Sequence, residues 1–317
     1  MQLIPLESLT QPRNDISRGD VSQGDVSQGG TPSGQPPLPA WLRVKTGKAR
    51  QTAPTQSIID ELRVVTVCEE ARCPNIGECW SRKTATFMIG GERCTRACGF
   101  CNVATAKPLA LDPTEPQRVA LAAKKLGLQY IVVTSVDRDD LPDGGASHWV
   151  ETIRRVRLEN PGAKVEILTP DFRGKEADYA RVAAERPDVY NHNIETVPRL
   201  YNVARKGSKY ERSLELLRWV KAFDPNIKTK SGLMTGLGET IEEITEVLRD
   251  LKSHNVDFVT MGQYLRPTPR HLPVQKYYSP DEFAELKAIG ESLGFALVAS
   301  GPFVRSSYHA GEDFEKM

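Results

Sequence analysis

No stretch of this sequence approaches the ~20 consecutive apolar residues that a membrane-spanning helix needs. Its first residues, MQLIPLESLTQPRND, lack a basic segment followed by an apolar one of the kind that directs secretion. The expectation is a soluble, cytoplasmic protein with no membrane partner. Charge of one sign is missing too: 42 Lys and Arg stand against 41 Asp and Glu, a net of +1. That balance gives no reason to expect a nucleic acid or an acidic surface as partner. Cysteine is absent from almost the whole chain, yet all six cysteines lie between positions 68 and 101. A chain of 317 residues buries a core without staples. In a reducing compartment, cysteines crowded this way are ligands or redox centres rather than disulfides.

Residues 1–50 are poor in apolar side chains, repeat GDVSQ, and are rich in Gly, Pro, Ser and Gln. Such a segment cannot offset its ordering entropy and is expected to be a disordered tail, anchored at its end by Trp41 and Leu42. Six apolar runs then read as strands: 84–90, 129–136, 164–170, 188–195, 226–236 and 256–265. Between them lie helix-like segments, with capping-box spacing at Thr114 to Gln117, Thr240 to Glu243 and Ser279 to Glu282. Alternating strands and helices imply a parallel sheet, doubly wound or barrel-like. The expectation is an α/β fold, a partial (β/α)6 TIM-like barrel over 84–270. An N-terminal extension, 51–83, and a C-terminal segment, 271–317, would meet across the barrel mouth. In barrels of this kind active sites form at the carboxyl ends of the strands.

The second cysteine triplet, Cys94, Cys98 and Cys101 in CTRACGFC, follows the first predicted strand. CxxxCxxC lets one short loop wrap an iron–sulfur cluster, each thiolate on a different iron, leaving one iron open. The plain alternative is structural zinc, whose usual paired CxxC spacing is absent. With Phe100 before the last cysteine, the motif resembles the radical S-adenosyl-L-methionine (SAM) superfamily. The resemblance implies that SAM chelates the open iron and is cleaved there to a 5′-deoxyadenosyl radical.

The first triplet, Cys68, Cys73 and Cys79, sits in TVCEEARCPNIGECW. With TSVDRDDLPDGGA, HNIETV, SGLMTGLGE, GQYLRPT and RSSYHA following in order, the chain resembles the lipoyl synthase family over nearly its whole length beyond the tail. That resemblance implies insertion of two sulfurs, at C6 and C8 of a protein-bound octanoyl-lysine. Two four-iron four-sulfur (4Fe-4S) clusters would serve it, with two SAM consumed per product and the auxiliary cluster on the first triplet as sulfur source. Implied partners are octanoylated lipoyl-carrier proteins (E2 lipoyl domains of dehydrogenase complexes and the glycine-cleavage H protein), a ferredoxin- or flavodoxin-type reductant, and an iron–sulfur cluster carrier.

By the same resemblance Ser307, in RSSY, is the fourth ligand of the auxiliary cluster, with Ser306 the neighbour most easily mistaken for it. An oxygen ligand is a poor match for a sulfur-rich cluster, which makes it exchangeable. Asn193 and Glu195 are candidate SAM contacts, an amide and a carboxylate suited to ribose hydroxyls and ammonium. Alternation along a strand would set Asn191, Asn193 and Glu195 on one face and leave His192 as a packed, hydrogen-bonded histidine. Arg205 could grip the SAM carboxylate in a bidentate manner or be a solvated helix-end charge. Thr134 and Ser135 end a strand and could face the cofactor or cap a turn. SGLMTGLGE matches no phosphate-loop pattern and reads as a glycine turn open to the adenine; VDRDDLPDGG reads as a solvated loop. Two other readings are a different radical SAM sulfur or methylthio transferase and a zinc-stabilised interaction module.

Overall fold

A computed structural model describes residues 37–43 and 49–315. The expected disordered tail falls mainly on 1–36 and 44–48, outside the described residues. At the tail's end the Trp41 indole donates to the Tyr278 carbonyl at 3.2 Å and Leu42 is buried, so this short piece is tied to the body.

All six apolar runs form strands of one sheet, which has eight in chain order: β1 (Val65–Thr66), β2 (Thr86–Ile89), β3 (Tyr130–Ser135), β4 (Lys164–Leu168), β5 (Val189–Asn191), β6 (Lys228–Thr235), β7 (Phe258–Gln263) and β8 (Leu297–Gly301). From β2 to β8 every pairing is parallel, and β1 lies antiparallel on β2 at the edge. Among the described strands β1 and β8 do not pair, so the sheet curls into a partial barrel and stays open along one seam. β8 was not expected. Its run of five apolar residues, FALVA at 295–299, cannot be told from a buried helix segment by periodicity alone, and pairing with β7 makes it a strand.

Alternation divides the strands. Phe87, Ile89, Ile131, Val133, Val165, Ile167 and Tyr190 join the apolar core under the helices. The residues between them, Thr86, Met88, Val132, Thr134, Glu166 and Asn191, therefore face the lumen. At the lumen's floor Lys230 pairs with Glu166 at 2.9 Å, and Tyr130 and Asn191 donate to the same carboxylate at 2.7 and 3.0 Å. Such a buried pair persists because hydrogen bonds satisfy its remaining oxygen lone pairs.

The helix signals are met at two of three places. Thr240 and Ser279 form complete capping boxes, at helices Ile241–Ser253 and Pro280–Ser292. Ile244, Val247, Leu248 and Leu251 of the first are buried as one stripe. At Glu115–Leu126 the expected box does not form. Thr114 is already helical and its hydroxyl donates instead to Asp112, at 2.7 Å.

Candidate active site

After β2 the chain turns on Gly90 and Gly91, both at positive φ, into the loop carrying Cys94, Cys98 and Cys101. Gly99 holds this loop between two other segments: its N–H donates to the Ala204 carbonyl and its carbonyl accepts from Leu272 N–H, each at 2.9 Å. A Cβ there would lie 2.9 Å from Leu272 Cγ and 3.0 Å from the Val203 carbonyl, so the close approach requires glycine. Arg96, between the first two cysteines, is buried against Asp137, Asp139 and Asp171 at 3.3, 2.7 and 2.6 Å. The Asp137 N–H donates to Cys94 Sγ at 3.3 Å. VDRDDLPDGG is therefore no solvated loop, since it clamps the cysteine loop through Arg96, while Arg138 holds the Gly90 carbonyl at 3.0 Å. The sequence signal for this clamp was an arginine among the cysteines and acidic residues at a strand's carboxyl end, which have no specific spacing.

Across the lumen from this loop lies HNIETV. Past Asn191 the chain leaves the sheet. Glu195 returns for one bridge to Leu233 with φ +67°, a conformation unfavourable for a side chain and held by that pairing. Asn193 Nδ2 donates to Glu195 Oε1 at 3.1 Å and to Ser306 Oγ at 2.8 Å. Its Oδ1 is buried with no partner among the described residues. Asn191 does not join them, being spent on Glu166 at the floor. His192 is packed as expected: Nδ1 meets the Thr169 carbonyl at 2.8 Å, Nε2 meets Ser213 Oγ at 2.9 Å, and burial with nearby Arg205 lowers it to about 3. Arg205 is buried, not a solvated charge, donating to Tyr201 and Ser213 at 2.9 and 3.0 Å and acting electrostatically on Glu195 and Cys98. Glu195 itself is raised by burial, against the pull of Arg205.

Thr134 faces the lumen, but its hydroxyl donates to the Leu168 carbonyl at 3.0 Å. Ser135 pairs with Ile89 and alternation turns it to the helix-covered side. The glycine turn is as expected, with Gly236 and Gly238 at φ +103° and +111°. It is not open to an adenine through the N–H groups of Gly236 and Leu237, because both donate to the Glu239 carboxylate.

Burial pushes Cys98 up to about 12, Cys101 to about 11, and Cys94 upward as well. A bare thiolate is costly here, so these sulfurs need a bound cation to become ligands. A 4Fe-4S cluster takes one thiolate per iron, which three cysteines on one loop can supply. The soft donors, the neighbouring Arg205 and the unpartnered Asn193 Oδ1 fit a 4Fe-4S cluster with a polar ligand beside it.

Residues 88–251 match the Radical SAM superfamily. The chain belongs to it. As a radical SAM enzyme, its membership implies SAM and a 4Fe-4S cluster, and the matched span contains the Cys94 loop and HNIETV. Solved structures share the fold at low identity. SuiB of Streptococcus suis bound to S-adenosylmethionine has 14% identity and a TM-score of 0.52, over 71% of this chain and 53% of that one. The FeFe-hydrogenase maturase HydG from Carboxydothermus hydrogenoformans has 14% identity and a TM-score of 0.53, over 84% and 79%. This chain thus spans about half the length of SuiB.

This radical SAM chain carries its other cysteines at the opposite end of β2. Cys68 follows β1, and its thiol accepts from the Thr86 N–H; burial raises it to about 11. Cys79 feels both Cys68 and Cys73 and is raised to about 12, again by burial first. The C-terminal segment returns to this trio. Asn75 donates to the Phe303 carbonyl at 2.8 Å, Tyr308 to Glu78 at 3.0 Å, and Arg82 pairs with Glu312. Thr86 Oγ1 donates to Ser307 Oγ at 2.7 Å, whereas Ser306 turns to Asn193. The two terminal segments do meet, but at the amino end of β2 rather than across the barrel mouth. Three residue steps, about 10 Å, separate Thr86 from Ile89, so β2 carries one cysteine set near each of its ends. Residues His271 and Leu272 of the same C-terminal segment reach the other end, at Cys101 and Gly99.

Proposed function

We propose that this radical SAM enzyme is a lipoyl synthase, inserting sulfur at C6 and C8 of an octanoyl-lysine on a lipoyl-carrier protein. The observation that carries the reading is the second cysteine trio with Ser307, set at the far end of β2 from the CxxxCxxC loop. C6 and C8 of an octanoyl chain have no acidic hydrogen, so no general base can activate them and a cofactor must. When bound, SAM on one cluster supplies the hydrogen-abstracting radical, and the second cluster supplies sulfur.

The chain's own residues do the rest. Cys94, Cys98 and Cys101 hold the first cluster, and Arg96 with its three aspartates keeps their loop in shape. Asn193, Glu195 and Arg205 orient SAM, the guanidinium offering a fork for its carboxylate. Met88 and Val132, buried on the lumen side and outside the helix-covered core, supply an apolar wall suited to an alkyl chain between the two cysteine sets. Cys68, Cys73, Cys79 and Ser307 hold the auxiliary cluster, Ser307 as its exchangeable ligand. Electrons would come from a ferredoxin- or flavodoxin-type protein, and a cluster carrier would renew the sacrificed cluster.

The test is anaerobic incubation of the cluster-loaded chain with octanoylated carrier protein, SAM and dithionite, followed by mass analysis of the carrier. Two inserted sulfurs with two 5′-deoxyadenosines per product are expected. Abundant 5′-deoxyadenosine with an unchanged carrier would point to another radical SAM sulfur or methylthio transferase and sink the assignment.

A further inference from the structure

The two serines of RSSY face different sites. Ser307 meets Thr86 at the first cysteine trio, and Ser306 accepts from Asn193 Nδ2 at 2.8 Å. An amide nitrogen has two hydrogens. Glu195 Oε1 takes one of them at 3.1 Å and Ser306 the other, so Asn193 enters this conformation with no donor free. A ligand that accepts from Asn193 must displace one of the two.

Ser306 is the partner that can leave. Glu195 is fixed by its bridge to Leu233, in the same short turn as Asn193. Ser306 belongs to a segment laid on the bare backbone of β6 and β7. A Cβ at Gly262 would lie 2.0 Å from the Val304 carbonyl, and one at Gly232 would lie 3.3 Å from Ser306 Oγ. The wall leaves the segment no space to sink into, so a shift of the Ser306 backbone that frees Asn193 is directed away from the wall. Adjacent Cα atoms are about 3.8 Å apart, so Ser307 is carried with it.

We infer that Ser306 is a positioning residue that couples the two ends of the lumen: nucleoside binding at Asn193 displaces Ser306 and thereby draws Ser307 off Thr86 and the first cysteine trio. The inference rests on the reading of Asn193 as a SAM contact. It makes the exposure of the sulfur-donating site conditional on occupancy of the radical-generating one, so that the labile position opens only when SAM is seated.

The decisive variant is Ser306→Ala, in the cluster-loaded full chain under anaerobic conditions. A hydrogen bond that SAM must break is removed, so SAM should bind about two- to tenfold more tightly than to the unsubstituted protein, the range expected for one neutral hydrogen bond. Loss of a merely structural contact would weaken binding or leave it alone. Hydrogen exchange over residues 303–309 gives the second readout: SAM should speed it in the unsubstituted chain, and Ser306→Ala should show the faster exchange without SAM. Unchanged or weaker affinity in the variant, or exchange indifferent to SAM, overturns the coupling. Unchanged SAM affinity in Asn193→Ala would overturn the reading of Asn193 itself, and is seen separately from the Ser306 comparison.

Discussion

Ser307 and Thr86 meet hydroxyl to hydroxyl at 2.7 Å across 221 positions of sequence, and the N–H of the same threonine serves the Cys68 thiol. The contact brings a C-terminal oxygen to the amino end of β2, beside buried Cys68 and half-buried Cys73 and Cys79. If that oxygen is an exchangeable cluster ligand, replacing it by sulfur should hold the cluster too well. Ser307→Cys is expected to keep about eight irons and eight sulfides per chain, as two four-iron clusters require, while sulfur insertion falls at least about tenfold. Iron and sulfide analysis with product mass spectrometry checks this, and full turnover would remove the lability argument.

The two trios should be separable. Cys98→Ala is expected to abolish SAM cleavage, because the open iron that SAM would chelate belongs to that loop. Cys68→Ala should retain the first cluster, about four irons per chain, and still release 5′-deoxyadenosine on reduction while inserting no sulfur. Liquid chromatography of the nucleoside products distinguishes the two variants.

Gly262 tests whether the C-terminal segment must lie on the lumen wall. A methyl group there would meet the Val304 carbonyl at 2.0 Å, a clash of backbone with no flexible end to yield. Gly262→Ala should displace residues 304–307, cost about 1–3 kcal/mol as overpacking does, and lower the iron content toward that of the first cluster alone. SAM cleavage should survive, since the Cys94 loop is held from elsewhere, by Arg96 and by Gly99.

His192 makes stability depend on pH. Burial and Arg205 lower it to about 3, so the folded state keeps it neutral while an unfolded chain protonates it near 6.5. The unfolded state therefore binds more protons below 6.5, and this contribution, complete above that value, is lost as pH falls toward 3. Between pH 7.5 and 5.5 the loss is on the order of 1 kcal/mol. Urea denaturation of the parent and of His192→Gln at both values should show the variant lacking this part of the slope.

Much of the frame was legible because it rests on short-range chemistry. Six apolar runs alternating with capped, amphipathic segments are enough to specify a parallel α/β sheet, and all six are strands. The crowding of six cysteines into two spacings is likewise local, and points to metal ligation before any fold is known. β8 escaped because its short apolar run follows closely on a helix and reads equally as helix or strand until it pairs with β7. The aspartates around Arg96 escaped because charges on a loop look alike until burial shows which of them are paired.

What the sequence by itself determined is the inventory: an α/β barrel chain, a CxxxCxxC loop after its first long strand, a second cysteine trio and a returning serine pair. Only the tertiary structure decided their arrangement. The trios lie at opposite ends of β2 because β1 runs antiparallel and delivers Cys68 to the strand's beginning, while the other loop leaves from its end. Two consecutive serines part company because one finds Asn193 and the other Thr86. Sequence spacing sets which side chains are near along the chain. Where two neighbours point is set by what the fold has put on either side of them.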